Sequence, residues 1–268
     1  MRFIQKAILI LFATLLVVSC SEYEKVLKGD DYDKKYDMAL KMYNKKKFIK
    51  AIPLFEEVIS IYSKLSEKGE KGYYYLCYCH YNTQNYALAS YYFRNFQVTY
   101  PQSKHAEEAA FMSAICKVEA SPKPSLDQSN TVTAINELQA FMNRYPKTTK
   151  KDTCNLIIDQ LRDKLEEKAY QSAKLYYNME EYAASAVAFT NMLSDYPDTD
   201  YREEALYLVV KSNYRLANNS IKEKKVERFE ETIKSYTKFV DNFPKSERLK
   251  ELEEYYNKAL REVQISQK

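Results

Sequence analysis

The sequence predicts an all-α, right-handed solenoid of about five helical hairpins closed by a C-terminal capping helix, and three observations carry that prediction. An aromatic residue followed by proline recurs as Tyr100-Pro101, Tyr145-Pro146, Tyr196-Pro197 and Phe243-Pro244, with Tyr62 as a fifth copy lacking the proline. Seven positions before each aromatic stands another large apolar or aromatic residue: Phe55, Phe93, Leu138, Phe189 and Tyr236. That is how a helix packed along one face and then stopped is written, because proline steers the preceding residue away from the α region. Finally, three glycines and no tryptophan among 268 residues, beside 26 tyrosines, leave little chemistry for hairpins of strands.

The amino terminus is set apart from the repeats. Arg2 and Lys6 precede an apolar run from Ala7 to Val18, the length of a signal-peptide core and too short for a comfortable membrane span. The run ends Leu16-Val17-Val18-Ser19-Cys20, which resembles the lipobox of bacterial lipoproteins, so residues 1–19 are expected to be removed and Cys20 to carry lipid. No aspartate follows Cys20, which under the sorting rules of enterobacterial lipoproteins favours the outer membrane. Residues 20–31 are polar and charged, and they read as a flexible tether leading to a repeat domain over 32–268.

Units ending near residues 62, 100, 145, 196 and 243 have intervals longer than the ~34 residues of a minimal helical hairpin repeat, so some carry insertions. Setting each terminal proline to position 32 tests the register of the tetratricopeptide repeat, which wants small residues at 8 and 20, an aromatic at 17 and a large apolar residue at 24. The second unit supplies Cys77, Tyr86, Ala89 and Phe93, the first Ala39, Phe48, Ala51 and Phe55, and the fourth Ala173, Tyr182, Ser185 and Phe189. Small residues at 8 and 20 let paired helices approach closely. In the third unit Ser121-Pro122-Lys123-Pro124-Ser125 enlarges the loop between the helices. The fifth gains roughly ten residues after Leu216, shared between loop and helix. A helix from about Ser246 to Val263 would cap the array.

No catalytic role, cofactor or metal is expected. His80 and His105 are the only histidines, and no H-E-x-x-H, P-loop or G-x-S-x-G motif is present. Cys77 and Cys79 point to different sides of a helix and have no second ligand pair, so Cys77 reads as the small residue of its repeat. Cys77, Cys79, Cys116 and Cys154 are expected to be buried free thiols. Beyond residue 19 the chain carries 39 basic and 37 acidic side chains, which gives no attraction to nucleic acid.

The register also places tyrosines along one face. Positions 5, 9 and 12 of the first helices line the inner groove of a tetratricopeptide array, and they hold Tyr36 and Tyr43, then Tyr74, Tyr78 and Tyr81, with Tyr170 and Tyr177 in the fourth unit. Tyrosine offers wide apolar contact with a polar tip at low rotamer cost, so such a face suits an extended, aromatic-bearing peptide. Packing between helices is the competing use of the same rings. Asn44, Asn82 and Asn178 at position 13 read as helix caps.

Together, Cys20, the short acidic segment after it, the five units and the inserted loop of unit three resemble the BamD (YfiO-type) family of outer-membrane β-barrel assembly lipoproteins. The likeness covers nearly the whole mature chain. It is strongest from Tyr86 through Tyr100-Pro101, from Ala134 to Pro146, and from Glu181-Tyr182 through Asp195-Tyr196-Pro197-Asp198-Thr199. The resemblance implies an acyl anchor in the outer-membrane lipid with the protein on the periplasmic side. It also implies amino-terminal repeats that receive unfolded outer-membrane proteins and carboxy-terminal repeats that dock a POTRA domain of the barrel-forming subunit. Docking residues are left unassigned, because the fifth unit departs from the usual repeat length. Two other classes share the repeat: adaptors for peptidoglycan or division proteins, usually without a lipid anchor, and glycan-uptake lipoproteins, usually longer and tryptophan-rich.

Overall fold

The computed structural model describes residues 22–62 and 66–266, so the signal segment and Cys20 lie outside the described residues. All regular structure among the described residues is helical. A short α1 over residues 22–28 is followed by α2 (Tyr32–Asn44), α3 (Phe48–Ile61), α4 (Glu67–Asn82), α5 (Tyr86–Thr99), α6 (Ala106–Glu119) and α7 (Ser129–Arg144). Then come α8 (Lys151–Asn178), α9 (Tyr182–Asp195), α10 (Arg202–Asn218), α11 (Lys222–Asn242) and α12 (Leu249–Ser266). The expected hairpins are thus α2–α3, α4–α5, α6–α7, α8–α9 and α10–α11, with α12 at the end.

The chain divides into two compact units, one containing the residues up to Pro122 together with Gln128–Ile158, the other Lys123–Asp127 together with Asp159 onward. In the first, each helix from α2 to α7 packs on its sequence neighbour. The register residues make that packing possible: Ala39, Ala51, Cys77 and Ala89 are fully buried where helices approach, and Phe55, Phe93 and Phe96 fill the space beside them. In the second unit Ala173 and Ser185 take the same small-residue role, around Phe189, Met192, Val210 and Phe239. α12 closes this core with Leu252, and its Ala259 packs in a separate cluster with Ala217 and Phe229.

Helix ends follow local chemistry. Each helix α5, α7, α9 and α11 stops one residue before its aromatic, and Tyr100, Tyr145, Tyr196 and Phe243 sit as C-caps ahead of the prolines. α2, α4 and α8 end at Asn44, Asn82 and Asn178. The Asn82 side-chain amide donates to the Tyr78 carbonyl at 2.7 Å, as expected of a residue finishing a helix.

The sequence expectation needs three adjustments. Residues 22–28, expected within a flexible tether, form a helix held to the first hairpin: Tyr23 is buried, and its hydroxyl donates to the Lys50 carbonyl at 3.0 Å. The long interval before Tyr196 comes from the 28 residues of α8, where α4 has 16. The added residues of the fifth hairpin extend its second helix to 21 residues and leave only a short connection, whereas the third hairpin does carry its enlarged loop between Glu119 and Ser129.

Candidate functional site

The five tyrosines named for the amino-terminal face all lie in the first unit, on α2 and α4, and each is used in packing. Tyr36 is 7% exposed and belongs to the core around Leu54, Phe55 and Leu76. It is therefore too buried to meet a ligand without rearrangement, which corrects the expectation for that residue. Tyr43 sits edge-on to Phe48 with ring centroids 5.5 Å apart and tilts against Tyr75 at 4.8 Å. Burial pushes its phenol up to about 12.

Tyr74, Tyr78 and Tyr81 follow one another along α4 and stay half-buried. Tyr74 stacks on His105 at 4.3 Å and meets Tyr78 edge-on at 5.0 Å. Tyr78 stands nearly perpendicular to Phe93, and its hydroxyl lies 3.4 Å from both the Tyr74 hydroxyl and the Glu108 carboxylate. Burial above all, with those neighbours, drives the Tyr78 phenol far above its ordinary value, so it remains a neutral hydrogen-bond donor. Tyr81 leans against Tyr86 at 5.7 Å. The rings thus serve as walls between hairpins while Tyr43, Tyr74, Tyr78 and Tyr81 each keep part of their surface open.

In the second unit the same register positions are ion-paired. Tyr170 is buried and stacks on Tyr201 at 4.1 Å, and Lys174 donates to its hydroxyl at 2.9 Å while pairing with Glu204 at 3.0 Å. One repeat later Lys211 donates to the Tyr207 hydroxyl at 2.9 Å and pairs with Glu251 at 2.9 Å. Burial opposes ionisation of Glu251, yet hydrogen bonds from Tyr207, Lys211 and Tyr255 hold its carboxyl down at about 2. The charges are mutually satisfied, so this face presents locked polar pairs where α4 presents open rings. Glu108, Glu204 and Glu251 were not singled out in the sequence. Their signal is a glutamate at the third residue of α6, α10 and α12.

Cys77, Cys79, Cys116 and Cys154 are buried free thiols, and burial raises all four thiol pKa values. The Cys77 thiol donates to the Tyr73 carbonyl at 3.2 Å. Among the described residues no cluster of His, Cys, Asp or Glu has the arrangement of a metal site, and no helix is long and apolar enough to cross a membrane.

These features define a tetratricopeptide-type helical repeat protein with an aromatic face on its amino-terminal hairpins. The YfiO family of outer membrane lipoproteins matches residues 29–229, and the chain belongs to that family. Among its relatives, the putative outer membrane protein assembly factor BamD of Aquifex aeolicus (strain VF5) is 26% identical over 248 residues, covering 91% of this chain and 79% of the relative. The outer membrane protein assembly factor BamD of Caulobacter vibrioides is 28% identical over 142 residues, 53% of this chain and 47% of that one. The crystal structure of the P58(IPK) TPR domain superposes with a TM-score of 0.42 at 11% identity, over 91% of this chain and 69% of that domain. The repeat assignment rests on this chain's own packing.

Proposed function

We propose that the protein is a non-enzymatic assembly factor for outer-membrane proteins, anchored by lipid at Cys20 on the periplasmic side of the outer membrane. Its amino-terminal hairpins hold extended, aromatic-ended segments of unfolded barrel proteins, and its carboxy-terminal hairpins dock a POTRA domain of the barrel-forming subunit. Family membership, with relatives named as assembly factors, supports the process. The observation that carries the site is the half-open row Tyr74, Tyr78 and Tyr81 on α4, flanked by Tyr43. Such rings cover apolar side chains, while the neutral hydroxyls meet the backbone amides of an extended chain.

The face is tested with a peptide ending in the aromatic carboxy-terminal sequence of a barrel protein. Tyr81 packs at the margin of the core around Cys77, Ala89 and Phe93 as well as on Tyr86, so Tyr81→Ala should weaken binding by about 1 kcal/mol or more while helicity, checked by circular dichroism, is unchanged. Equal affinity in wild type and variant would assign the ring to packing alone. A mild-detergent pull-down tests the process: it should recover an outer-membrane barrel-assembly subunit, and recovery of glycan transporters or division proteins instead would overturn the reading.

A further inference from the structure

The turn joining α2 to α3 concentrates charge of one sign. Lys45, Lys46, Lys47 and Lys50 are all exposed there, Lys41 lies in the last turn of α2, and Ile49 projects among them with 78% exposure. A depression of about 570 Å³ opens beside Ile49, lined by residues 46–50 with Asn82 and Thr83, and no carboxylate lines it. The run of like charge is longest in this hairpin: the lysines at the turn of the fifth, Lys222, Lys224 and Lys225, are interrupted by Glu223 and followed by Glu227. The equivalent turn of the second hairpin carries Thr83-Gln84-Asn85, and that of the fourth Met179-Glu180-Glu181.

α1 brings the amino-terminal end of the chain to the same place. Glu22 pairs with Lys41 at 3.1 Å, the Tyr23 hydroxyl is bonded to the Lys50 carbonyl, and the Lys50 ammonium lies 5.0 Å from the Tyr23 ring centroid. Only Ser21 separates Glu22 from Cys20, a span of at most about 7 Å between their Cα atoms. An anchor at Cys20 is therefore joined by that short length of chain to the Glu22–Lys41 pair beside the lysine-rich turn. A basic patch beside a lipid anchor adds an attraction to anionic headgroups that the acyl chains themselves do not supply.

We propose that the α2–α3 turn is a membrane-docking surface on which Lys45, Lys46, Lys47 and Lys50 rest against anionic phospholipid headgroups, with Ile49 entering at headgroup depth. The proposal rests on the reading of Cys20 as the anchor. Each lysine near an anionic surface strengthens binding roughly five-fold, and the effect fades within about a Debye length. Glu22 is the one carboxylate on α1 facing the patch through a described contact, and Lys41 neutralises it.

The decisive measurement is vesicle flotation of the chain from residue 20 carrying Cys20→Ser, so that no acyl group contributes. It should bind vesicles of mixed phosphatidylcholine and phosphatidylglycerol, less so as salt rises, and should ignore phosphatidylcholine alone. Lys45→Gln, Lys46→Gln and Lys47→Gln together should weaken that binding on the order of 100-fold. The matched triple change Lys222→Gln, Lys224→Gln and Lys225→Gln on α11 should leave it alone. Helicity by circular dichroism shows that each variant is folded. No binding to anionic vesicles, equal binding to both kinds, or an unaffected triple variant on the turn would each overturn the proposal. The anchor is checked separately by mass spectrometry of the membrane-extracted amino terminus: an unmodified Cys20 sinks the anchor without changing the vesicle result.

Discussion

The Thr148 hydroxyl donates a 2.6 Å hydrogen bond to the Glu107 carboxylate, joining the turn after Pro146 to the first turn of the helix that opened the same hairpin. Its oxygen also accepts from the Lys150 amide at 3.2 Å. The arrangement recurs as Ser103 with Glu70 and as Ser246 with Glu203, at 2.6 and 2.5 Å, and again as Thr199 with Glu166. In each case the hydroxyl lies two residues after the proline. The Tyr-Pro stop is thus half of a clasp whose other half is a glutamate 33 to 43 residues earlier. Thr148→Val keeps the side-chain shape and deletes the bond, so it should lower unfolding stability by about 1 kcal/mol in urea titration, while Thr148→Ser retains most of it. A Val variant matching wild type would leave the clasp without energetic weight.

Lys46, Gln84 and Glu180 adopt left-handed backbone conformations, with φ of 56°, 59° and 61°. All three occupy the same register position, and the residue after each donates its amide back across the helix end, as Asn85 does to the His80 carbonyl at 2.9 Å. Side chains with a Cβ pay for that conformation, and glycine does not. Gln84→Gly should therefore raise the thermal midpoint, by the equivalent of about 0.5–1 kcal/mol, despite the looser unfolded chain. A lowered midpoint would mean that the Gln84 side chain contributes contacts outweighing the strain.

His80 is 4% exposed, stacks face to face on Tyr92 at 4.9 Å, and neither ring nitrogen has a hydrogen-bond partner among the described residues. Burial lowers its pKa in the folded state, so the unfolded chain takes up the proton first as pH falls. The stability associated with a neutral His80 is complete above the unfolded value of about 6.5 and drains away as pH falls below it. His80→Phe should abolish that part of the difference between about pH 7.5 and about pH 5, and should stabilise the neutral protein by about 1 kcal/mol by removing unpaired polar atoms. An identical acid dependence in wild type and variant would assign the loss to other groups.

Much of the fold was legible in the residues because helix boundaries are local. Asn44, Asn82 and Asn178 mark where the first helix of a hairpin ends, the aromatic-proline stops mark where the hairpin finishes, and small residues at two fixed positions mark where helices touch. The candidate site was only half legible. The period placed Tyr36 on the same face as Tyr74 and Tyr81, yet Tyr36 is covered and the others are half open, since what covers a helix face is supplied by other helices. Composition misjudged residues 22–28 for the same reason: polar at most positions, they fold because Tyr23 finds a place on the first hairpin.

The sequence alone determined that this is an array of helical hairpins, where each hairpin stops, and that Cys77 is a packing residue. Those properties depend on spacings of three, four and seven residues, within reach of a single helix. Only the tertiary structure decided that the Tyr-Pro turn is clasped to a distant glutamate, that the tyrosines of α4 stay open while Lys174 and Lys211 reach Glu204 and Glu251 on other helices, and that α1 ends the amino-terminal segment beside five lysines. Each of these joins residues on different helices, and no local pattern specifies which side chain will stand opposite another once the helices have packed.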